Sequence, residues 1–361
     1  MRIVIDLTSL SYHLTGIERY AMCVSEKMLE LDKDNSYVLI FRNDIPALYT
    51  KYIDGERVVA EVIRGEKKLL FLQWTLYRKL KSIKADKYLF FAFPSPYLFK
   101  RKGIINTIHD MGAWDSSSEM QKMSNKYFKI SYKKAAKISE YIITVSKFSK
   151  GRIADILHVA NERIKVIPSA VYEGITENIA PFEDIQKSYD VPSKYIMTLS
   201  TIEPRKNMRI LLEAYTNIAD KVDYDLLLVG RKGWNMDDTL SVYENNPRIH
   251  ITGFVKDEHL SAVYKNALCF VFPSLYEGFG LPPVESLALG TPVISSDAAS
   301  LPEVLMEQAR YFKNDSREEL EQLLLDLEDN LKSMPCELND YQKKTYSFVT
   351  AANSVLELIK D

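Results

Sequence analysis

Pro273-Ser274-Leu275-Tyr276-Glu277-Gly278-Phe279-Gly280-Leu281-Pro282-Pro283-Val284-Glu285-Ser286 is the stretch on which the reading of this chain turns. It follows a short apolar run, 269–272, that reads as a buried strand. Pro282 and Pro283 suit the first turn of a helix. Gly278 and Gly280 let the intervening backbone approach a ligand closely. The amide groups at the helix start can hold phosphate or sugar oxygens. Glu277 precedes the turn and Glu285 follows it, seven residues intervening. The pattern is therefore a strand, a glycine loop and a helix, with an anion site between two carboxylates. A plain strand–loop–helix connection with solvated glutamates is the simpler alternative.

Outward from this stretch, β-branched apolar runs alternate with helical patterns along the whole chain, which predicts parallel α/β architecture. In the first half the runs 3–7, 37–41, 103–109, 141–145 and 164–167 read as strands. In the second half 195–199, 225–229, 250–251, 269–272 and 292–295 do. Sheets of this kind bind ligands at the carboxyl ends of their strands. At 361 residues the chain exceeds the size of one core, so two domains are expected. The boundary falls in an acidic linker at 171–194, giving domains at 1–175 and 176–340. The segment 341–360 reads as a helix that could return to the first domain.

Three further loops place polar groups at strand ends. Glu203-Pro204-Arg205-Lys206-Asn207 follows the strand 195–199, and adjacent Arg and Lys at such a loop suit a diphosphate. His109-Asp110 ends a β-branched run, where a satisfied core histidine is the bland alternative. Thr15-Gly16-Ile17-Glu18-Arg19 follows the first strand, and Gly16 lets a helix start approach a phosphate or an acceptor.

Composition excludes several classes. No apolar run approaches the roughly 18 residues of a membrane span. The N-terminus reads as a strand rather than a signal peptide, and Cys23, Cys269 and Cys336 show no metal spacing and suit a reducing compartment. A Gly-x-Gly-x-x-Gly fingerprint is missing after the first strand, which argues against a dinucleotide oxidoreductase. The net charge of −2 conceals an asymmetry: residues 1–180 carry +9 and residues 181–361 carry −11. The basic surplus clusters at Lys67-Lys68, Arg78-Lys79, Lys81, Lys84, Lys100-Arg101-Lys102 and along 122–137, with Phe71, Trp74, Tyr77, Tyr97 and Phe99 among it. In 67–84, Leu69, Leu72, Leu76, Leu80 and Ile83 form an apolar stripe at helical spacing, either a core face or a face toward lipid.

Taken together, "TGIERY", "NTIHDMGAWD", "YIITVSKFSKGRI", "ERIKVIPSAV", "TLSTIEPRKNMRILLEAY", "LLLVG", "HITGFV", the long run "VFPSLYEGFGLPPVESLALGTPVISSDAASLPEV" and the closing "YSFVTAANSVLELI" resemble the family-4 glycosyltransferases of GT-B fold. Within that family the chain is similar to the mannosyl- and rhamnosyltransferases of bacterial surface polysaccharide synthesis. The resemblance implies two Rossmann-like α/β/α domains facing each other across a cleft. It implies retaining, metal-independent transfer of a hexose from a GDP-, UDP- or dTDP-linked donor, with no cofactor. Mannose is the sugar favoured. Glu277 would contact the donor sugar, Glu285 the ribose, and Arg205 and Lys206 the diphosphate. Phe279, Gly280 and Leu281 would offer amides beside Gly278, Phe254 and Val255 would flank the base, and His109 would reach the sugar from the other domain. Partners would be a glycan or polyprenyl-diphosphate-linked acceptor and the anionic inner face of the membrane, with no nucleic acid. The enzyme would then be cytoplasmic or peripheral.

The chain departs from the family at three places. Ser200 stands where many relatives carry arginine, which leaves more of the diphosphate to Arg205. Ser169-Ala170 replaces the usual Asn-Gly, and Phe348 a common tryptophan. A non-hydrolysing nucleotide-sugar epimerase would need a second set of acid/base carboxylates, and a non-catalytic nucleotide-sugar-binding subunit could have lost Glu277, Arg205, Lys206 and His109.

Overall fold

The computed structural model describes every residue except 11–13, 66–70, 117–121, 178, 202, 231–242, 244–245 and 361, together with the side chains of 72 and 122–124. It divides into two compact units, Met1–Ala170 with Lys344–Asp361, and Val171–Lys343.

Both units are built on one parallel sheet. The first contains β1 (Arg2–Asp6), β2 (Ser36–Arg42), β3 (Val58–Ile63), β4 (Lys87–Phe90), β5 (Ile104–Thr107), β6 (Tyr141–Thr144) and β7 (Ile164–Val166), in the order β3-β2-β1-β4-β5-β6-β7. The second contains β8 (Tyr195–Leu199), β9 (Asp225–Val229), β10 (Ile249–Gly253), β11 (Cys269–Phe272), β12 (Val293–Ser296) and β13 (Ala309–Phe312), in the order β10-β9-β8-β11-β12-β13. Each order is the doubly wound Rossmann arrangement, in which the chain winds outward from its first strand and then reverses to the other side. The reversal lies between β1 and β4 in one unit, and between β8 and β11 in the other.

The central strands are apolar because both faces are covered. In β11 Cys269, Phe270, Val271 and Phe272 are all buried, and β1 buries everything after Arg2. One face of the second sheet packs Ile196, Leu226, Leu228 and Val271 against Leu211, Tyr215 and Leu324. Three strands escape the sequence pattern for reasons visible in the fold. Edge strands β3 and β13 carry half-exposed positions. Strand β4 opens on Lys87, whose ammonium is buried against Glu140 at 3.0 Å.

The described part of the apolar stripe in 67–84 proves to be core: Leu76, Leu80 and Ile83 pack with Val4, Val38 and Tyr88 rather than facing lipid. Leu69 and the side chain of Leu72 lie outside the described residues. The segment 341–360 is two helices, Asp340–Thr345 and Phe348–Leu358, parted at Tyr346-Ser347. The second buries Phe348, Ala352 and Val355 and packs on the helix Gly16–Leu31 of the first unit.

Candidate functional site

Strands β8 and β11 lie side by side at the reversal of the second sheet, so the loops that leave their carboxyl ends are neighbours. After β8, Pro204–Lys206 forms one 3-10 turn, and Asn207 takes the left-handed conformation at φ 51° before the helix Met208–Ile218. After β11 comes the Glu277 loop. Backbone joins the two: Leu275 N donates to Arg205 O at 2.9 Å.

Side chains complete the junction. Lys206 Nζ donates to Glu277 Oε1 at 2.5 Å, and Ser274 Oγ donates to the same oxygen at 2.7 Å. Arg205 Nη1 lies 3.8 Å from Glu277 Oε2 and donates to Tyr276 O at 3.0 Å. Glu203 steadies the same guanidinium at 3.2 Å. Burial alone would raise the Glu277 carboxyl, but the charges of Lys206 and Arg205 and the two hydrogen bonds outweigh it and hold it below the usual carboxylate range. Glu277 is therefore a fixed, ionised carboxylate.

Three serines hold this arrangement, and sequence reasoning passed them over. Besides donating to the carboxylate, the Ser274 hydroxyl lies 3.3 Å from Arg205 O. Ser296 Oγ, at the end of β12, donates to Ser274 O at 2.6 Å, and Ser300 Oγ donates to Glu277 O at 3.0 Å. Serine at a strand end is common enough that only the partner identifies it. Gly230, the residue after β9, was likewise not singled out. A Cβ there would meet Ser200 O at 1.9 Å, so the ends of β8 and β9 touch backbone to backbone.

The helix after the Glu277 loop runs Leu281–Ala288, with prolines in its first turn as expected. Gly280 caps it at φ 86°, a conformation that favours glycine, and a Cβ there would also displace the Leu301 methyl, 2.5 Å away. Glu285 is buried within the helix and Phe279 just before it. Phe254 and Val255 follow β10 but are not equivalent: Val255 is buried, whereas Phe254 exposes 45% of its surface.

His109 and Gly16 belong to the first unit. The buried His109 ring bonds through Nε2 to Phe91 O at 2.8 Å and meets the Tyr20 ring edge-on at 5.2 Å. Burial pushes its pKa down against the opposing effects of that bond and of Asp110. The ring is thus neutral at pH 7, with Nε2 carrying the proton and Nδ1 an acceptor. Gly16 opens the helix Gly16–Leu31, and a Cβ added there would meet nothing within 4 Å.

The basic segments of the first unit converge. Tyr97 N donates to Gln73 at 2.7 Å, Arg101 reaches Lys81 O at 3.4 Å, and Lys134 Nζ lies 5.4 Å from the Tyr97 ring. Partial burial and then the charges of Lys100 and Lys137 lower the Lys134 pKa, a sign that these cations crowd one another. Trp74, Tyr97 and Leu98 are exposed among them. Lys67 and Lys68 lie outside the described residues. Among the described residues no helix is long and apolar enough to cross a membrane.

Comparison with known proteins places the chain in one family. Residues 14–172 match the family described as "Glycosyltransferase Family 4", and residues 181–345 match "Glycosyl transferases group 1". The O-antigen chain mannosyltransferase B of Escherichia coli is 30% identical over 325 residues, 84% of each chain. The O-antigen chain mannosyltransferase RfbU of Salmonella typhimurium is 30% identical over 226 residues, 62% of this chain and 60% of that protein. Among solved structures, Anabaena HepE in complex with UDP and glucose superposes with a TM-score of 0.73 at 15% identity, over 100% of this chain and 99% of that one, a likeness of fold.

Proposed function

This chain belongs to the family-4 glycosyltransferases of GT-B fold, and from that premise we propose that it transfers a hexose, mannose foremost, from a nucleotide-sugar to a growing surface glycan with retention of anomeric configuration. The observation that carries this is the Lys206–Glu277 pair, braced by Arg205 and Ser274, at the strand reversal of the second unit. Sheets of this order receive nucleotides at that point.

Breaking the bond between the sugar C1 and the diphosphate leaves negative charge on the departing nucleotide. Arg205 and Lys206 offset it, and because Glu277 and Glu203 hold their heads in place, little reorganisation is needed as the charge develops. Glu277 touches the donor sugar, and Glu285, in the following helix, takes the ribose hydroxyls. The exposed Phe254 ring stacks on the base, and His109 accepts a sugar hydroxyl through Nδ1. The donor is GDP-, UDP- or dTDP-linked, and neither metal nor cofactor takes part.

The acceptor is a glycan carried on a polyprenyl diphosphate, met at the cytoplasmic face of the membrane. Convergence of Lys81, Arg101 and Lys134 around exposed Trp74, Tyr97 and Leu98 supports this.

Thermal shift with GDP-, UDP- and dTDP-sugars tests the donor site. A ligand at 100 times its Kd stabilises by about 2.7 kcal/mol. Nuclear magnetic resonance of the product reads the configuration, and chelation with EDTA reads the metal requirement. Binding without turnover on any glycan acceptor favours a non-catalytic subunit, and conversion of the free nucleotide-sugar favours an epimerase.

A further inference from the structure

The first unit holds a buried carboxylate that the steps above leave unused. Asp6 ends β1, with β2 on one side and β4 on the other, at the reversal of that sheet. Its residue is 8% exposed. Oδ1 accepts from Thr8 N at 3.1 Å and from Thr8 Oγ1 at 2.7 Å, a turn closed on one oxygen. Oδ2 has no partner among the described residues. On the same loop the Ser9 hydroxyl is buried, and it too has no partner among the described residues. For a hydroxyl sealed off as that of Ser9 is, this is unusual, since buried polar groups in native proteins are ordinarily paired.

Asp32, also buried in this unit, shows the ordinary state. Its Oδ1 accepts from Asp34 N at 2.9 Å and from Asn35 N at 3.3 Å. Its Oδ2 accepts from Asn35 Nδ2 and from the Tyr37 hydroxyl. Among the described residues Asp6 is filled on one oxygen only, and that oxygen is all its turn requires.

We propose that Asp6 Oδ2 receives a hydroxyl of the acceptor sugar, with Ser9 Oγ as a second hydrogen-bonding group, and orients that hydroxyl for transfer. This rests on the glycosyltransferase reading. The location fits, because the reversal of a doubly wound sheet is where such sheets take ligands. The chemistry fits, because a carboxylate is the stronger acceptor for a hydroxyl. Burial raises the group to about 6 against the two Thr8 bonds, so it is ionised at neutral pH and still held out of water.

Asp6→Asn separates this role from the turn. The amide oxygen can serve Thr8 as Oδ1 does, while a donor replaces the free acceptor. GDP-mannose is the donor, and an α-mannoside on a short alkyl diphosphate is the acceptor. In Asp6→Asn, kcat/KM for the acceptor falls by roughly 10- to 100-fold, the range for a lost charge-assisted bond. GDP release into water and the thermal shift with GDP-mannose stay at the wild-type level. Thr8→Ala keeps the carboxylate and its second oxygen but loses a charge-assisted bond to Oδ1, so its kcat/KM for the acceptor falls less than that of Asp6→Asn. Equal transfer by Asp6→Asn, or parallel loss of transfer and water release, overturns this proposal alone. A wild-type chain that neither binds nor turns over nucleotide-sugars overturns the glycosyltransferase reading and this proposal with it.

Discussion

Lys206 Nζ stands 2.5 Å from Glu277 Oε1, although 71 positions separate the two in sequence. The pair is largely out of water, with the lysine side chain 13% exposed and the glutamate side chain 10%. Its members depend on each other, since removing one partner of a buried ion pair leaves the other poorly compensated. Lys206→Ala is therefore expected to lower turnover by about 10²–10³ and also to destabilise the fold, by less than a wholly unpaired buried charge would, because Arg205 and Ser274 still face Glu277. The double variant Lys206→Met with Glu277→Gln separates these effects. It should regain stability by thermal melting while turnover stays low. Restored turnover in the double variant, or normal activity of Arg205→Ala given added magnesium, contradicts the charge-offset role.

The two glutamates of the loop should fail differently. Glu277→Ala should lower kcat far more than it raises the donor Kd, because its contact with the sugar matters most as the bond breaks. Glu285→Ala should chiefly weaken nucleotide binding, since ribose contacts are alike in ground and transition states. Steady-state kinetics beside direct nucleotide titration gives both numbers, and the reverse pattern exchanges the roles.

Asp6 gives a stability prediction with a definite sign. Its carboxyl is raised from 3.8 to about 6 in the folded chain, so the folded state binds the proton more tightly than the unfolded state. Stability from this group is present below about pH 4 and is lost as pH rises through about 6. Asp6→Asn, which cannot ionise, should be more stable than wild type at pH 7.5 by about 1–3 kcal/mol, with the advantage fading by pH 4.5. Chemical denaturation at the two pH values checks it. A gain of stability on losing a charged group is what a residue retained for binding shows.

The basic face should bind anionic vesicles and neutral ones weakly. Each basic residue near an anionic surface contributes about 1 kcal/mol, and raised salt screens it. Charge reversal of Arg101 and Lys134, with Trp74→Ala, should abolish co-sedimentation and leave donor binding intact. Equal small fractions on both vesicle types leave the membrane-linked acceptor without its physical support.

Local chemistry was legible in the sequence. The strand 269–272, the turn at Gly280 and the proline-led helix after it depend on residues within one short stretch, and each stands where the sequence places it. Strands β8 and β9 were equally plain, because a strand buried on both faces must be apolar throughout. The edge strands β3 and β13 were not, because exposure removes that requirement.

Spacing gives Glu277 and Glu285 from one segment, and chain order gives Arg205 and Lys206 from another. That the two segments meet follows from β8 lying beside β11, a long-range pairing no local pattern encodes. The same pairing recruits Ser274, Ser296 and Ser300, whose roles lie wholly in what they touch. Tertiary structure also decided between core and lipid for the stripe holding Leu76, Leu80 and Ile83, since helical periodicity marks an apolar face without saying what covers it. At Asp6 the sequence supplied a carboxylate at a strand end. Only burial between neighbouring strands raised its proton affinity, and only the one-sided turn with Thr8 left an oxygen to spare.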